Sequence, residues 1–241
     1  MTARPKPAIP AGCIQVAGIR DAGEAELLLR CGVQWLGFPF GLPVHAEDTS
    51  RDEAARIIAG LPERAVPILI TYLDRAHSIT ALARRLGVRG VQLHGKDVSV
   101  DEIQALRSSC PDLLLVRSLV VRADNASLLL QEVEDAAGYV DGFLTDTYDP
   151  ESGAEGATGR VHDWSISRAL VEKSPLPVIL AGGLTPENVE QAIARVRPWG
   201  VDVHTGLEGP DGRKDADLVG RFVNNANTGF SRTSPWPWGT A

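Results

Sequence analysis

Short apolar runs rich in β-branched residues alternate with longer, helically patterned segments eight times along this chain, and nothing else in it constrains the fold as strongly. The strand-like runs are CIQVAGI (13–19), VQWLGFPF (33–40), VPILITYL (66–73), GVQLHG (90–95), LLLVRSLVV (113–121), VDGFLTDT (140–147), PVILAGG (177–183) and GVDVHTG (200–206). Each is followed by a segment with apolar residues at helical spacing, from AGEAELLLRCG after the first to DADLVGRFVNNA after the last. Parallel strands are joined by crossover helices, so this order predicts a parallel sheet closed on itself, a single (β/α)8 barrel. The length of 241 residues suits one such barrel. An open doubly wound sheet is the rival, but it has fewer strands, and no G-x-G-x-x-G follows the first run. Ser99, with Asp101 and Glu102 after it, and Thr185 before Pro186 predict helix starts. The barrel is expected over 13–228. A Pro-rich extension (1–12) drapes over one end, and 229–241 form a tail with Trp236 and Trp238 between prolines.

Composition narrows the class of function. No apolar run approaches the roughly 20 residues of a membrane span, and the opening MTARPKPAIPAG lacks an apolar signal core. A cytoplasmic protein without a membrane partner is the expectation. The formal charge of -7 argues against a nucleic-acid surface and makes any phosphate site local. Cys13, Cys31 and Cys110 form no paired motif, so neither disulfides nor a metal site is expected. Monomer and homodimer both remain open.

Barrel enzymes of this kind place chemistry at the carboxyl ends of their strands. Two stretches there carry glycine where an anion would need backbone N–H groups: Gly182 and Gly183 after the seventh strand, and His204, Thr205 and Gly206 after the eighth. Together they predict a phosphate site. Asp146 ends an otherwise apolar sixth strand. An inward carboxylate there would have a raised pKa and suit a general acid; the alternative is a cap for the following loop. His94 and Arg117 are further candidates at the ends of the fourth and fifth strands, for catalysis or for structure. The segment YDPESGAEGATGRVHDW (148–164), with three glycines, is long enough to close over a ligand.

VQLHG, DGFLTDT, GATGRVHDW, PVILAGGLTPENV and GVDVHTGLEGPDGRKD resemble, in order, the signature blocks of the phosphoribosylanthranilate isomerases. That resemblance spans most of residues 13–228. It implies a cofactor-free (β/α)8 barrel that converts a phosphoribosylamine into an aminodeoxyribulose phosphate by an Amadori rearrangement in tryptophan biosynthesis. An acid would protonate the ribose ring oxygen, and the family pattern puts it at Asp146. A base would take the C2' proton, and the pattern expects a cysteine in Lys-x-Cys-Gly at the end of the first strand.

Here that stretch reads Gln15-Val16-Ala17-Gly18. Ala17 cannot accept a proton, and Cys13, four residues back along the strand, stands about 13 Å toward the other end. After the second strand the family has an arginine for the anthranilate carboxylate, whereas this chain reads GFPFGLPVHAEDT, with His45 as a partial substitute. These departures favour an isomerase-like enzyme on a small phosphorylated substrate with an altered second half. In that reading the second proton-transfer group comes from His94, Arg117, His45 or His204. A true phosphoribosylanthranilate isomerase with an unusual base is the alternative, and an inactive barrel acting as a binding protein is the third.

Overall fold

The computed structural model describes residues 6–42, 46–95, 97–147 and 162–233. Eight parallel strands close into one barrel in chain order: β1 Cys13–Ala17, β2 Trp35–Phe40, β3 Val66–Thr71, β4 Gly90–Leu93, β5 Leu114–Val121, β6 Gly142–Thr147, β7 Val178–Leu180 and β8 Gly200–Val203. Helices follow each: α1 Ala22–Arg30, α2 Arg51–Gly60, α3 Ala76–Leu86, α4 Val100–Ser109, α5 Ala126–Ala136, α6 Trp164–Lys173, α7 Val189–Val196 and α8 Ala216–Arg232. The expected (β/α)8 barrel is the fold. No described helix is long and apolar enough to cross a membrane.

Helix starts follow local chemistry. Asp21, Ser50, Ser99, Asp163 and Asp215 each accept a hydrogen bond from a first-turn N–H, which satisfies a donor the helix cannot. The seventh helix begins later than its sequence suggests. Thr185 Oγ1 accepts from Glu187 N, and Asn188 Oδ1 accepts from Thr185 N, so Thr185–Asn188 forms a turn ahead of α7. At the other end, α8 runs through Gly229–Arg232, residues expected to be tail. Gly229 packs against Ile193 of α7, which explains why the helix continues. Trp236 and Trp238 lie outside the described residues.

Two hydrophobic layers result from period-two alternation along the strands. Outward residues such as Leu36, Phe38, Leu93 and Phe143 pack under the helices, and full burial of each contributes roughly 1.5–3 kcal/mol. Inward residues Cys13, Trp35, Val66, Ile68, Leu114, Val116, Leu144 and Ile179 fill the barrel. The N-terminal extension plugs the bottom: Ile9 joins the inner cluster, and its carbonyl accepts from Trp199 Nε1 at 2.8 Å. With that end closed by apolar packing, the polar inward residues collect at the opposite end.

Candidate active site

The inward positions near the carboxyl ends are Gln15 and Ala17 on β1, Gln92 and His94 from β4, Ser118 on β5, Asp146 on β6, and Asp202 and His204 from β8. They form a hydrogen-bonded floor. Gln15 Nε2 donates to Gln92 Oε1 (2.8 Å), Gln92 Nε2 donates to Ser118 Oγ (3.2 Å), and Ser118 Oγ meets His94 Nδ1 (3.0 Å). His94 packs on Tyr72, with ring centroids 4.7 Å apart, and points Nε2 at Asp146 Oδ2 from 4.0 Å. Asp146 Oδ1 accepts from the Thr147 N–H at 2.7 Å. Four strands thereby fix the orientation of one carboxyl group.

Burial pushes the Asp146 carboxyl above its ordinary range, with His94, the Thr147 amide and His204 opposing it. Asp202 is pushed up to about 7, by burial and by the charge of Asp146, against the opposing influence of Gln15 and Lys214. Asp202 Oδ1 is buried with no hydrogen-bond partner among the described residues. Two buried carboxyls in one site resist ionising together, so one of the pair retains a proton near neutrality.

Above this floor opens a cavity of about 270 Å³ lined by Asp146, Gly182, Gly183, Thr185, Asp202, His204, Thr205 and Gly206, among others. Gly182 has φ 92°, and a Cβ on it would stand 2.0 Å from Thr147 Oγ1; one on Gly206 would stand 1.9 Å from the Leu184 carbonyl oxygen. Only glycine lets the two loops close to this distance. Among the described residues the amides of Gly182, Gly183, Leu184, Thr205 and Gly206 donate no hydrogen bond, which leaves a cluster of N–H groups available to an anion. Thr147 is tied in turn to the end of the long sixth connection. His162 Nδ1 lies 2.8 Å from Thr147 Oγ1 and its Nε2 lies 2.5 Å from Ser167 Oγ, and burial pushes this imidazole down to about 4.

Of the residues singled out in the sequence, Asp146, His94, Gly182, Gly183, His204, Thr205 and Gly206 come together here. Arg117 does not. It has outward parity on β5; its Nη1 donates to the Gly95 carbonyl at 2.7 Å and its Nη2 stands 3.7 Å from Glu132 on α5. Its place is between barrel and helix, because it alternates with Ser118, which takes the inward position. His45 lies outside the described residues, as does most of 148–164. Cys13 is buried at the far end with its thiol pushed up by burial, then by Asp202, and serves in packing. Sequence reasoning overlooked Gln15, Gln92, Ser118 and Asp202, whose signal was their shared parity with Ala17, His94 and His204. It also overlooked Asp48, which reaches the site from the loop after β2 and stands 3.6 Å from His204.

This arrangement, a buried carboxyl beside a cluster of backbone N–H groups at the ends of β7 and β8, accompanies a match between residues 42–225 and the N-(5'-phosphoribosyl)anthranilate isomerase family model. The chain belongs to the phosphoribosylanthranilate isomerase family. A relative from Methanosarcina mazei named N-(5'-phosphoribosyl)anthranilate isomerase 2 is 38% identical, covering 90% of this chain and 95% of its own. The Haloarcula marismortui isomerase is 34% identical over 88% of this chain and 95% of its own. Among solved structures, the Thermotoga maritima isomerase superposes with a TM-score of 0.76 at 28% identity, covering 90% of this chain and 99% of that one. A phosphoribosylanthranilate isomerase in complex with reduced 1-(o-carboxyphenylamino)-1-deoxyribulose 5-phosphate superposes at 0.71 with 26% identity and the same coverage. The family makes this chain an isomerase. The family-model match begins at residue 42, so β1, with Ala17, lies before it.

Proposed function

We propose that the chain is a phosphoribosylanthranilate isomerase acting on N-(5'-phosphoribosyl)anthranilate, with Asp146 as the general acid. The observation that carries this reading is the buried Asp146 at the mouth of a glycine-lined cavity, in a chain similar over nine-tenths of its length to a protein named for that activity. The substrate phosphate would accept hydrogen bonds from the free amides of loops seven and eight, where charge from side chains is unnecessary. That orients the ribose toward Asp146. The proton that the Asp146–Asp202 pair retains passes from Asp146 to the ring oxygen, the ring opens, and loss of the C2' proton leads to the ketose. No cofactor has a place in these steps, and the partner is the small phosphorylated substrate.

The departures at Ala17 and in the loop after β2 favour a second reading, an isomerase for a phosphosugar with a different aglycone. Complementation separates the two. Expression in an isomerase-deficient tryptophan auxotroph should restore growth, and Asp146→Asn should abolish it. Absence of growth at high expression, with the phosphate cavity still binding a phosphosugar, would favour the second.

A further inference from the structure

The proposed isomerisation needs a proton acceptor, and Ala17 stands where the family pattern expects one. We infer that His204, oriented by Asp48, is that acceptor; the inference rests on the function proposed above. In the β1–β8 register Gln15 pairs with Asp202 and Val16 with Val203, so one step further Ala17 has His204 as its cross-strand neighbour on the inward face. Gly18, at φ 80°, brings the two closer still, because its ideal Cβ position lies 2.0 Å from His204 Nε2. The imidazole thus occupies the end of β1 through the space that Ala17 and Gly18 leave open. It lines the same cavity as Asp146.

The surrounding charges suit the role. His204 Nε2 stands 3.6 Å from Asp48 Oδ1 and 3.5 Å from Glu208 Oε1. Glu208 also accepts from the buried Lys214 ammonium at 2.8 Å, so its charge is shared between Lys214 and His204. Burial pushes the Asp48 carboxyl up, but His204 and then Lys214 and Arg20 outweigh it, so Asp48 stays ionised. Carboxylates only accept, so Nε2 carries the hydrogen and Nδ1 holds the lone pair. The other candidates fit less well: Arg117 is outside the cavity, and His94 Nδ1 is engaged with Ser118.

The protons balance. Asp146 gives one to the ring oxygen, and the C1'–O bond breaks to leave an iminium. His204 Nδ1 takes the C2' proton, and that C–H electron pair forms the C1'–C2' double bond of an enolamine. Asp48 stabilises the imidazolium. Ketonisation adds a proton at C1' and releases one from the 2'-hydroxyl, so both side chains are restored with no net change.

The test uses the full-length enzyme and its His204→Asn variant, with the reduced carboxyphenylaminodeoxyribulose phosphate as binding probe. Turnover is expected to fall by about 10²- to 10⁴-fold with probe affinity held within about threefold. Asp48→Asn should slow turnover by roughly 10- to 100-fold, as expected for a positioning residue. Adding Ala17→Cys to His204→Asn should recover at least about tenfold, because a thiol there would stand at the neighbouring inward position and supply a base. A purely structural role for His204 predicts no such rescue. An active wild type whose His204→Asn variant keeps its turnover within about fivefold, or changes only KM, would overturn the inference. A wild type that turns over no phosphoribosylanthranilate would overturn the proposed function itself.

Discussion

Gly182 lies so close to Thr147 that a Cβ at position 182 would stand 2.0 Å from the threonine Oγ1. Since Gly182 also has φ 92°, Gly182→Ala meets both a clash and a backbone strain, together on the order of 1–3 kcal/mol. The loop must move away from β6, taking its cluster of backbone N–H groups with it. Calorimetric titration with a phosphosugar should show affinity reduced by about tenfold or more, which is what that strain amounts to.

Asp146→Asn removes the proposed proton donor but keeps size and polarity. The variant should turn over about 10²- to 10⁴-fold more slowly, with little change in binding of the reduced product analogue. Because His94 draws the Asp146 pKa down, His94→Gln should move the basic limb of the pH–rate profile to higher pH. Steady-state kinetics across the neutral and alkaline range would check both effects.

Asp202 couples folding to pH. Its folded pKa, about 7, lies above the ordinary carboxylate value of 3.8. The folded state therefore holds a proton that the unfolded chain releases, and the contribution to stability is fully present below about pH 4 and lost as pH rises through about 7. Asp202→Asn stays neutral throughout. Urea unfolding at about pH 8 should find the variant more stable relative to wild type than at about pH 5, by roughly 2–4 kcal/mol.

Arg117 serves the framework. Removing its hydrogen bond to the Gly95 carbonyl by Arg117→Gln should cost about 1–3 kcal/mol in denaturant unfolding while leaving turnover within about threefold. A large loss of turnover with unchanged stability would return Arg117 to the chemistry.

The barrel was legible because its pattern is local: eight short apolar runs and eight segments at helical spacing. The glycine lining of the cavity was legible for a related reason, since Gly182, Gly183 and Gly206 stand immediately after strands. What escaped depends on distance along the chain. Gln15, Gln92 and Ser118 look like ordinary strand residues until closure of the sheet joins them, and Asp48 meets His204 across residues far apart in sequence. Arg117 was misplaced because strand β5 extends beyond its position and Ser118, not Arg117, has the inward parity. Thr185 resembles an N-cap, but the turn it forms with Asn188 shifts the start of α7.

The central claim is that this chain isomerises phosphoribosylanthranilate although Ala17 replaces the expected cysteine. Its most direct test is turnover by the purified protein, followed as disappearance of phosphoribosylanthranilate and appearance of the carboxyphenylaminodeoxyribulose phosphate. Stoichiometric conversion that Asp146→Asn slows by about 10²- to 10⁴-fold is the predicted result. Unaltered substrate in the presence of a folded wild-type protein that binds the reduced product analogue would contradict it.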